Sequence, residues 1–428
     1  MILAAFMAVT SLAGDAASVL FSTCMVLLFG IGGCAVLLRW PLFKNFANTC
    51  CAMALLLGTL FLRLSLFDHI SGDYVSFLSI WTETMRSMTV REALSTPIGD
   101  YNMPYLYVIL LISRLPFYDL YCIKLFSVLM DVLAALAVGK LAALMTKKQL
   151  PVLLAFATAL LAPTTWLGSA YWGQCDSVYG GLALWGLYFG LSKRPRASMV
   201  MFALALAFKL QTVFILPILA FLLVTERVSL RQLLLFPAGF LAAMVPALLG
   251  GRTLHDTFSI YFDQASQYPY LSLNAPSFWS LINNDFFYEL TAVPVLMAMI
   301  LTLLVLYVFL GKYKAMDLQT LLELSLIFSL LIPWSLPRMH ERYFYLAEIL
   351  SIVYAATFPK RTPVAAGLLF GGFLIYSAYL FGEVPILSMR LIAAIYGGIL
   401  IYLIVRCYKR LKNPHSDILK GALPYGKP

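Results

Sequence analysis

The chain has 428 residues, of which 62% are hydrophobic and 12% charged, and its mean hydropathy is +0.88. A soluble domain has roughly 45–50% apolar and about 25% charged residues, so a water-soluble globule is excluded. A formal net charge of +10 would suit a nucleic-acid partner, but the basic residues fall in short loops between apolar runs. The composition therefore predicts a membrane protein that does not bind nucleic acid.

Eleven apolar runs are long enough, or nearly so, to cross a bilayer, which takes about 20 residues in a helix. They are 18–38, 48–68, 118–146, 149–171, 177–192, 229–249, 291–311, 318–336, 343–358, 363–381 and 385–406. The Lys and Arg residues between them share one side if the N-terminus lies outside, as the positive-inside rule expects of cytoplasmic loops. The sequence predicts an all-α polytopic protein of the cell membrane, with about 11–14 transmembrane helices and a cytoplasmic C-terminus.

Two segments break this pattern. The run 103–115 is too short to cross unaided and is interpreted as re-entrant or juxtamembrane. The run 199–224 is too long for one helix, and a single span there would invert every later loop. We predict two short helices that meet near Lys209 and Gln211, because non-helical backbone and a Lys at membrane depth are tolerated where they line a polar cavity.

Three regions are expected along the chain. Residues 1–47 hold extra N-terminal spans, 48–345 form a catalytic transmembrane core, and 346–428 supply the last helices and a short cytoplasmic tail. The core contains two long outer loops, 69–117 and 250–290, both rich in aromatic residues that suit the membrane interface. Acidic residues gather on this outer side, so the functional site is expected there.

Two isolated ionisable residues are candidates for chemistry. Asp73 follows Gly72 just beyond the second span, where an outward carboxylate can act as a general base. The alternative is a helix N-cap, since Asp before an apolar run is a favoured cap. Lys209 in FALALAFKLQ needs an anionic partner at membrane depth, either a ligand or a buried carboxylate such as Asp131.

A denser group lies in PRMHERYFY, where Arg338, His340, Glu341 and Arg342 stand at the outer end of a span. Arg presents a fork of donors suited to phosphate oxygens, and His can donate or accept a hydrogen bond near neutral pH. The alternative is an interfacial anchor whose charges reach the lipid headgroups. The density favours a functional role, because an anchor does not need His and Glu between its arginines.

The segment AYWGQCDSVYG places Trp172, Gln174 and Asp176 at the outer end of another span. Here too simpler roles remain open, since Asp176 could cap the next helix and Trp172 could belong to an aromatic belt. Taken together, one carboxylate, several cations and aromatic surfaces predict a base that deprotonates an acceptor hydroxyl while Lys and Arg stabilise a departing lipid phosphate. A lipid phosphate is weakly basic and can depart without a general acid. Glycoside hydrolases, by contrast, use a pair of carboxylates, one of which protonates the leaving group.

Five motifs carry a resemblance to a known family. In chain order they are GDY at 72–74, GDYNMPYLYVILL at 99–111, YWGQCDS at 171–177, AFKLQTVFILP at 207–217 and PRMHERYFY at 337–345. In this order they resemble bacterial members of the C-type glycosyltransferase superfamily, close to proteins related to the mannosyltransferases of glycosylphosphatidylinositol-anchor assembly. The resemblance covers most of 48–345, and HERYFY is its most specific piece.

The resemblance implies an inverting enzyme that transfers a hexose, such as mannose or glucose, from an undecaprenyl- or dolichyl-phosphate donor. The acceptor would be a hydroxyl of a cell-envelope or lipid-linked glycan on the outer face. By position the base maps onto Asp73, with Asp68 as second choice. The predicted substrate-binding residues are Asp68, Tyr105, Trp172, Gln174, Asp176, Lys209, Gln211, Arg338, His340, Glu341, Arg342 and Tyr343. No cofactor is expected, and the scattered His residues favour a metal-independent reaction.

The main alternative is a membrane transporter or a lipid-linked sugar flippase, because such proteins also use paired short helices and intramembrane charges. Transporter sites lie near the bilayer midplane between structural repeats. Here no repeat is visible in the sequence, and the charges gather at one face. A structural membrane subunit without activity is the third possibility.

Overall fold

The computed structural model describes residues 16–40, 42–266, 268–290, 292–382, 384 and 386–412. The first half of the chain forms α1 (Ala16–Arg39), α2 (Phe46–Leu64), α3 (Ser79–Ser87), α4 (Val90–Ser95), α5 (Met103–Ser113), α6 (Asp119–Met145), α7 (Gln149–Leu161), α8 (Pro163–Trp166), α9 (Asp176–Leu191) and α10 (Pro195–Phe208). The second half forms α11 (Ile218–Val224), α12 (Leu230–Leu233), α13 (Leu235–Gly250), α14 (Leu254–Phe258), α15 (Ile260–Ser266), α16 (Phe287–Leu290), α17 (Val293–Leu310), α18 (Leu318–Ser335), α19 (Tyr345–Thr357), α20 (Thr362–Phe381) and α21 (Met389–Lys412).

Shorter elements connect these helices. Two segments are π-helical, Tyr74–Leu78 and Leu167–Trp172. The 3₁₀ turns are Leu210–Phe214, Phe278–Leu281, Asn284–Phe286, Tyr313–Ala315 and Pro359–Arg361. Two strands of two residues each, β1 (Ser272–Leu273) and β2 (Met339–His340), pair in parallel. The described chain is therefore almost entirely helical, as the sequence predicts.

In the described part of the chain, nine helical stretches are long and apolar enough to cross a membrane. This supports a multi-pass membrane protein, although the count of full-length spans is below the predicted 11–14. The difference lies in predicted spans such as 177–192 and 343–358, which form helices of only 16 and 13 residues. The first helix begins just after the left-handed turn at Gly173, and the second ends just before Pro359.

The two irregular segments form short helices, and the re-entrant or juxtamembrane position of 103–115 stays a prediction. The run 103–115 forms the 11-residue α5, which is too short to cross a bilayer and packs against α3. The run 199–224 breaks at Lys209, whose extended backbone separates α10 from a 3₁₀ turn and then α11. Gln211 lies in that turn, so the predicted meeting point of two short helices is confirmed.

Two helices form the centre of the molecule. In the apolar 18-residue stretch of α6 and of α18, 72% and 83% of the residues are buried inside the protein. In Leu230–Gly250, which ends with α13, 17% of the residues in such a stretch are buried. The loop 250–290 is fixed to this centre by the parallel pairing of Leu273 with His340. Trp279 adds a hydrogen bond from its indole N–H to the carbonyl of Ser335, at 2.6 Å. Of the predicted terminal regions, 1–15 and 413–428 lie outside the described residues.

Candidate functional site

A cavity of about 410 Å³ collects most of the predicted site residues. Those that line it are Asp73, Tyr105, Gln174, Lys209, Gln211, Arg338, His340, Arg342 and Tyr343. They come from all five sequence motifs, two of which lie in the loop 69–117, so distant segments of the chain meet at one place. Trp172, Asp176 and Glu341 do not line the cavity, but each contacts a residue that does.

Asp73 is held by two side-chain donors. Its Oδ2 accepts a hydrogen bond from Trp172 Nε1 at 3.1 Å and another from Gln174 Nε2. Asp73 precedes the π-helical segment, but its side chain makes no capping hydrogen bond there. The N-cap alternative is therefore wrong, and the carboxylate is instead oriented by the YWGQCDS motif.

The backbone around Gly173 explains how both donors reach the same carboxylate. Gly173 has φ of 85°, in the left-handed region that favours glycine, and it ends the π-helical segment. The chain turns there, so Trp172 on one side and Gln174 on the other both reach Asp73. The hydroxyl of Ser71 also donates to the carbonyl of Trp172 at 2.7 Å, which joins the two segments directly.

A buried lysine fixes the turn that precedes Asp73. Lys124 Nζ donates to the carbonyls of Leu66, Phe67 and His69 at 3.1, 2.9 and 2.7 Å. These carbonyls lie in the turn that follows the end of α2 at Leu64. Sequence reasoning missed Lys124, although an ionisable residue inside the apolar run 118–146 was the signal that could have found it.

Lys209 and Asp176 form a buried ion pair behind the cavity wall. Lys209 Nζ lies 2.7 Å from Asp176 Oδ1, and the two side chains are 8% and 5% exposed. The suggested partner Asp131 is wrong, because Asp131 pairs with Arg63 at 2.9 Å. Asp176 is the first residue of α9, and Cys175 occupies the N-cap position, so Asp176 serves the ion pair and not a cap.

Aromatic rings surround the ammonium group of Lys209. It lies 5.9, 5.7 and 6.0 Å from the ring centroids of Tyr101, Tyr179 and Tyr343. Each distance is within the range of a cation–π contact. The rings hold the charge in place without neutralising it, and an ammonium has three donors, of which Asp176 takes one.

Arg342 is bound to two carboxylates. Its Nη1 donates to Glu341 Oε1 at 2.9 Å, and its Nε lies 3.7 Å from Asp176 Oδ2. The guanidinium also stands 5.2 Å from the ring of Trp172. Glu341 is 2% exposed, and burial raises its pKa although the charge of Arg342 opposes that shift. The interfacial-anchor alternative is wrong for this pair, because neither side chain extends to the surface.

Trp172 belongs to the same packed group. It is 1% exposed, and its ring stacks on Tyr379 with centroids 4.8 Å apart and meets Tyr376 edge-on. A belt residue would face lipid, so the belt alternative is wrong for Trp172. The indole orients Asp73 on one side and contacts Arg342 on the other.

Arg338 has a left-handed backbone with φ of 61°, an uncommon conformation for a residue with a side chain. Its N–H donates to the carbonyl of Leu271 at 3.0 Å, and its Nε donates to the carbonyl of Tyr268 at 2.9 Å. The guanidinium lies 5.0 Å from the ring of Phe287. The loop 250–290 thus shapes this side of the cavity and holds Arg338 in an unfavourable conformation, as is common at functional sites.

His340 contributes a neutral ring. Burial, followed by the charges of Arg342 and Lys209, lowers the pKa of His340 to about 3. Its ring meets Tyr268 and Tyr343 edge-on, with centroids 5.5 and 5.2 Å away. The resemblance grouped His340 with phosphate-facing basic residues, but at neutral pH it offers an N–H donor or a ring acceptor and no positive charge.

Gln211 lines the cavity and holds a buried acceptor without a partner in the described part of the chain. Its side chain is 8% exposed, and its Oε1 has no hydrogen-bond partner among the described residues. A buried amide oxygen without a partner costs free energy, which a ligand with a hydroxyl group would recover. Tyr105 also lines the cavity and contributes a buried ring next to Tyr101, with centroids 4.9 Å apart.

Asp68, the second choice for the base, does not line the cavity. Its Oδ1 accepts a hydrogen bond from the hydroxyl of Tyr121.

Sequence reasoning also missed several lining residues, namely Asp100, Tyr101, Gln264, Tyr268 and Tyr379. The motif GDYNMPY contained a signal for Asp100 and Tyr101, and loop 250–290 contained one for Tyr268, whereas nothing in the sequence pointed to Tyr379.

No model of a known protein family matches the chain, and no curated protein is significantly similar to it in sequence. Within the described residues, no group of three or more His, Cys, Asp or Glu side chains is arranged to hold a metal ion. The expected metal independence stays a prediction.

Proposed function

We propose that the protein is a membrane glycosyltransferase that moves a hexose from a polyprenyl-phosphate carrier to an acceptor hydroxyl on the outer face. The observation that carries this proposal is one cavity lined by an oriented carboxylate, Asp73, together with Lys209, Arg338 and Arg342. A base and several cations facing a common space suit a reaction in which a hydroxyl loses a proton and a phosphate departs. The motif order that resembles C-type glycosyltransferases supports the same reaction class.

In the proposed mechanism Asp73 takes the proton of the acceptor hydroxyl. The acceptor oxygen attacks the anomeric carbon from the side opposite the phosphate, and the bond between that carbon and the phosphate oxygen breaks. The lipid phosphate leaves with the electron pair, so the configuration at the anomeric carbon inverts. Trp172 and Gln174 orient the carboxylate for this step through their hydrogen bonds to Oδ2.

The cations would stabilise the phosphate while remaining paired. Asp176 uses one donor of Lys209, and Glu341 uses one donor of Arg342, so both cations keep donors for phosphate oxygens. Preorganised donors of this kind stabilise developing charge without reorganising during the reaction. Gln211, with its free acceptor, is placed to receive a sugar hydroxyl.

The test compares the wild-type protein with Asp73→Asn, each purified and reconstituted in lipid with a panel of polyprenyl-phosphate sugars. The amide keeps the size of the side chain but cannot accept the proton, so transfer should fall by about 10²–10⁴-fold. Binding of the donor should change little, because the base faces the acceptor. Full transfer by the variant would refute the assignment of Asp73.

The same experiment separates transfer from transport. A flippase or transporter would move the intact lipid-linked sugar across the vesicle membrane without breaking its phosphate bond. Product analysis by mass spectrometry distinguishes a new glycosidic bond from an unchanged donor. Unchanged donor with every sugar and acceptor tested would contradict the glycosyltransferase proposal.

A further inference from the structure

A second cavity, of about 460 Å³, lies between α20 and α21. α20 connects it to the region of the first cavity, since Tyr379 lines the first and Pro363 lines the second. These two positions are about 24 Å apart along the helix at 1.5 Å per residue. The second cavity therefore lies near the opposite end of the molecule, where the sequence predicts the cytoplasmic side.

The walls of this groove are mainly apolar. On α21 they are Ile395, Gly398, Ile399 and Tyr402, which occupy one helix face by their spacing of three and four residues. The space beside Gly398 is open, because a Cβ atom placed there would meet no heavy atom within 4 Å. A long apolar chain could lie along this face.

Two basic residues also line the groove, Lys360 and Arg361 from the 3₁₀ turn that precedes α20. Within the part of the chain that the structure describes, neither forms an ion pair with a carboxylate. The guanidinium of Arg361 lies 5.6 Å from the ring of Tyr402, which fixes its charge beside the apolar wall. The N-terminal end of α20 adds its partial positive charge.

Neighbouring arginines differ from Lys360 and Arg361 in having a carboxylate partner within the described residues. Arg406 and Arg410, on the same helix as Tyr402, both pair with the buried Glu323. The positive charge of Lys360 and Arg361 has no such internal partner in the described chain. An apolar groove with uncompensated cations along it is complementary to a molecule with a hydrocarbon chain and an anionic head.

We propose that this groove is a binding site for an anionic phospholipid, whose phosphate contacts Lys360 and Arg361 and whose acyl chain lies along Gly398 between α20 and α21. Basic pockets between transmembrane helices are suited to anionic head groups. A zwitterionic lipid would bring a positive choline group near the two basic side chains. The site is separate from the first cavity and does not depend on the proposed transfer reaction.

The experiment measures lipid retention by native mass spectrometry of the purified full chain in detergent, with added phosphatidylglycerol or phosphatidylcholine. The wild type should retain phosphatidylglycerol about 10–30-fold more strongly, as expected for two basic side chains near a head group. Gly398→Phe fills the groove without changing charge and should lower phosphatidylglycerol binding by about tenfold. The double variant K360Q/R361Q should reduce it to the level of phosphatidylcholine.

The matched control is K148Q/R231Q, which removes two exposed basic residues outside the groove and should retain phosphatidylglycerol like the wild type. Thermal unfolding in the same detergent identifies any variant that has lost its fold. Equal retention of the two lipids by the wild type would overturn the proposal. So would unchanged retention by the charge variant, or displacement of phosphatidylglycerol by inorganic phosphate alone.

Discussion

Two clusters of buried charges differ in what surrounds them. The cavity cluster consists of Asp176, Lys209, Glu341 and Arg342, and two of its members line the 410 Å³ cavity. The closed cluster consists of Glu323, Arg406 and Arg410, with Glu323 completely buried. The closed cluster lies on the helices α18 and α21, whereas Lys209, Glu341 and Arg342 of the cavity cluster lie in non-helical segments.

The closed cluster is covered by an aromatic ring. The guanidinium groups of Arg406 and Arg410 lie 4.2 and 5.5 Å from the ring of Phe358. Neither cavity described above is lined by these residues. In the cavity cluster, by contrast, Lys209 and Arg342 face open space with unused donors. A buried ion pair therefore indicates a ligand site only when it borders a cavity, because a closed pair can be purely structural.

The largest expected difference between the clusters is in sugar transfer. Lys209→Met removes the charge but keeps an unbranched stem, and transfer should fall by at least about 100-fold because a preorganised cation is lost. Arg406→Met makes the same kind of change in the closed cluster and should leave transfer per folded molecule unchanged. Each variant leaves a buried carboxylate with one cation fewer and should lower the unfolding free energy by less than the about 3–5 kcal/mol of a fully unpaired buried charge, because Arg342 still faces Asp176 and Arg410 still pairs with Glu323.

Kinetics with a lipid-phosphate sugar and unfolding in detergent would measure the two effects separately. The double variant K209M/D176N removes both charges of the pair, so it should regain stability without regaining transfer. If the Arg406 and Lys209 variants lost transfer equally per folded molecule, the functional distinction between the clusters would be wrong.

A smaller effect is expected from the indole that orients Asp73. Trp172→Phe keeps an aromatic ring but removes the donor to a charged oxygen, so transfer should fall by about tenfold. Trp185→Phe is the matched control, because Trp185 also donates its indole N–H, at 3.0 Å, but to the carbonyl of Leu133. Transfer rates of both variants test the prediction, and equal losses would show that the Asp73 contact has no special role.

The smallest expected effect concerns pH and His340. Burial and nearby cations lower the pKa of His340 to about 3, against about 6.5 in the unfolded chain. Between about pH 3 and 6.5 the unfolded chain binds more protons at His340 than the folded chain does. The contribution of His340 to stability is therefore fully present above about pH 6.5 and is lost as the pH falls towards 3. The difference in melting temperature between the wild type and His340→Gln should therefore shrink on acidification. A pH-independent difference would contradict the neutral state of His340.

Much of the site could be predicted from local sequence. Charge is scarce in this chain, so the break at Lys209 and the group Arg338–Arg342 stood out against their apolar surroundings. The partners of these charges could not be predicted, since the choice of Asp176 over Asp131 for Lys209 depends on how α9 and α6 are rotated in the packed protein. Tyr379 reaches the cavity only through tertiary packing of α20.

The number of membrane spans was also predicted only in part from local sequence. Apolar length predicted the spans well where a run is uniform, as in α6. It overestimated helix length at the run 343–358, whose helix covers only Tyr345–Thr357 and ends just before Pro359.

The pair formed by Asp176 and Lys209 bears on how the protein is made. Chains are synthesised from the N-terminus, and these partners are 33 residues apart, while Arg342 comes much later. Asp176 therefore reaches the membrane well before Arg342 has been synthesised, and in the meantime Lys209 is the nearer of its two cations along the chain. The cations of the site are complete only once Arg342 has been added, so a ribosome-stalled chain that ends before Arg342 would hold the base without the full set of cations.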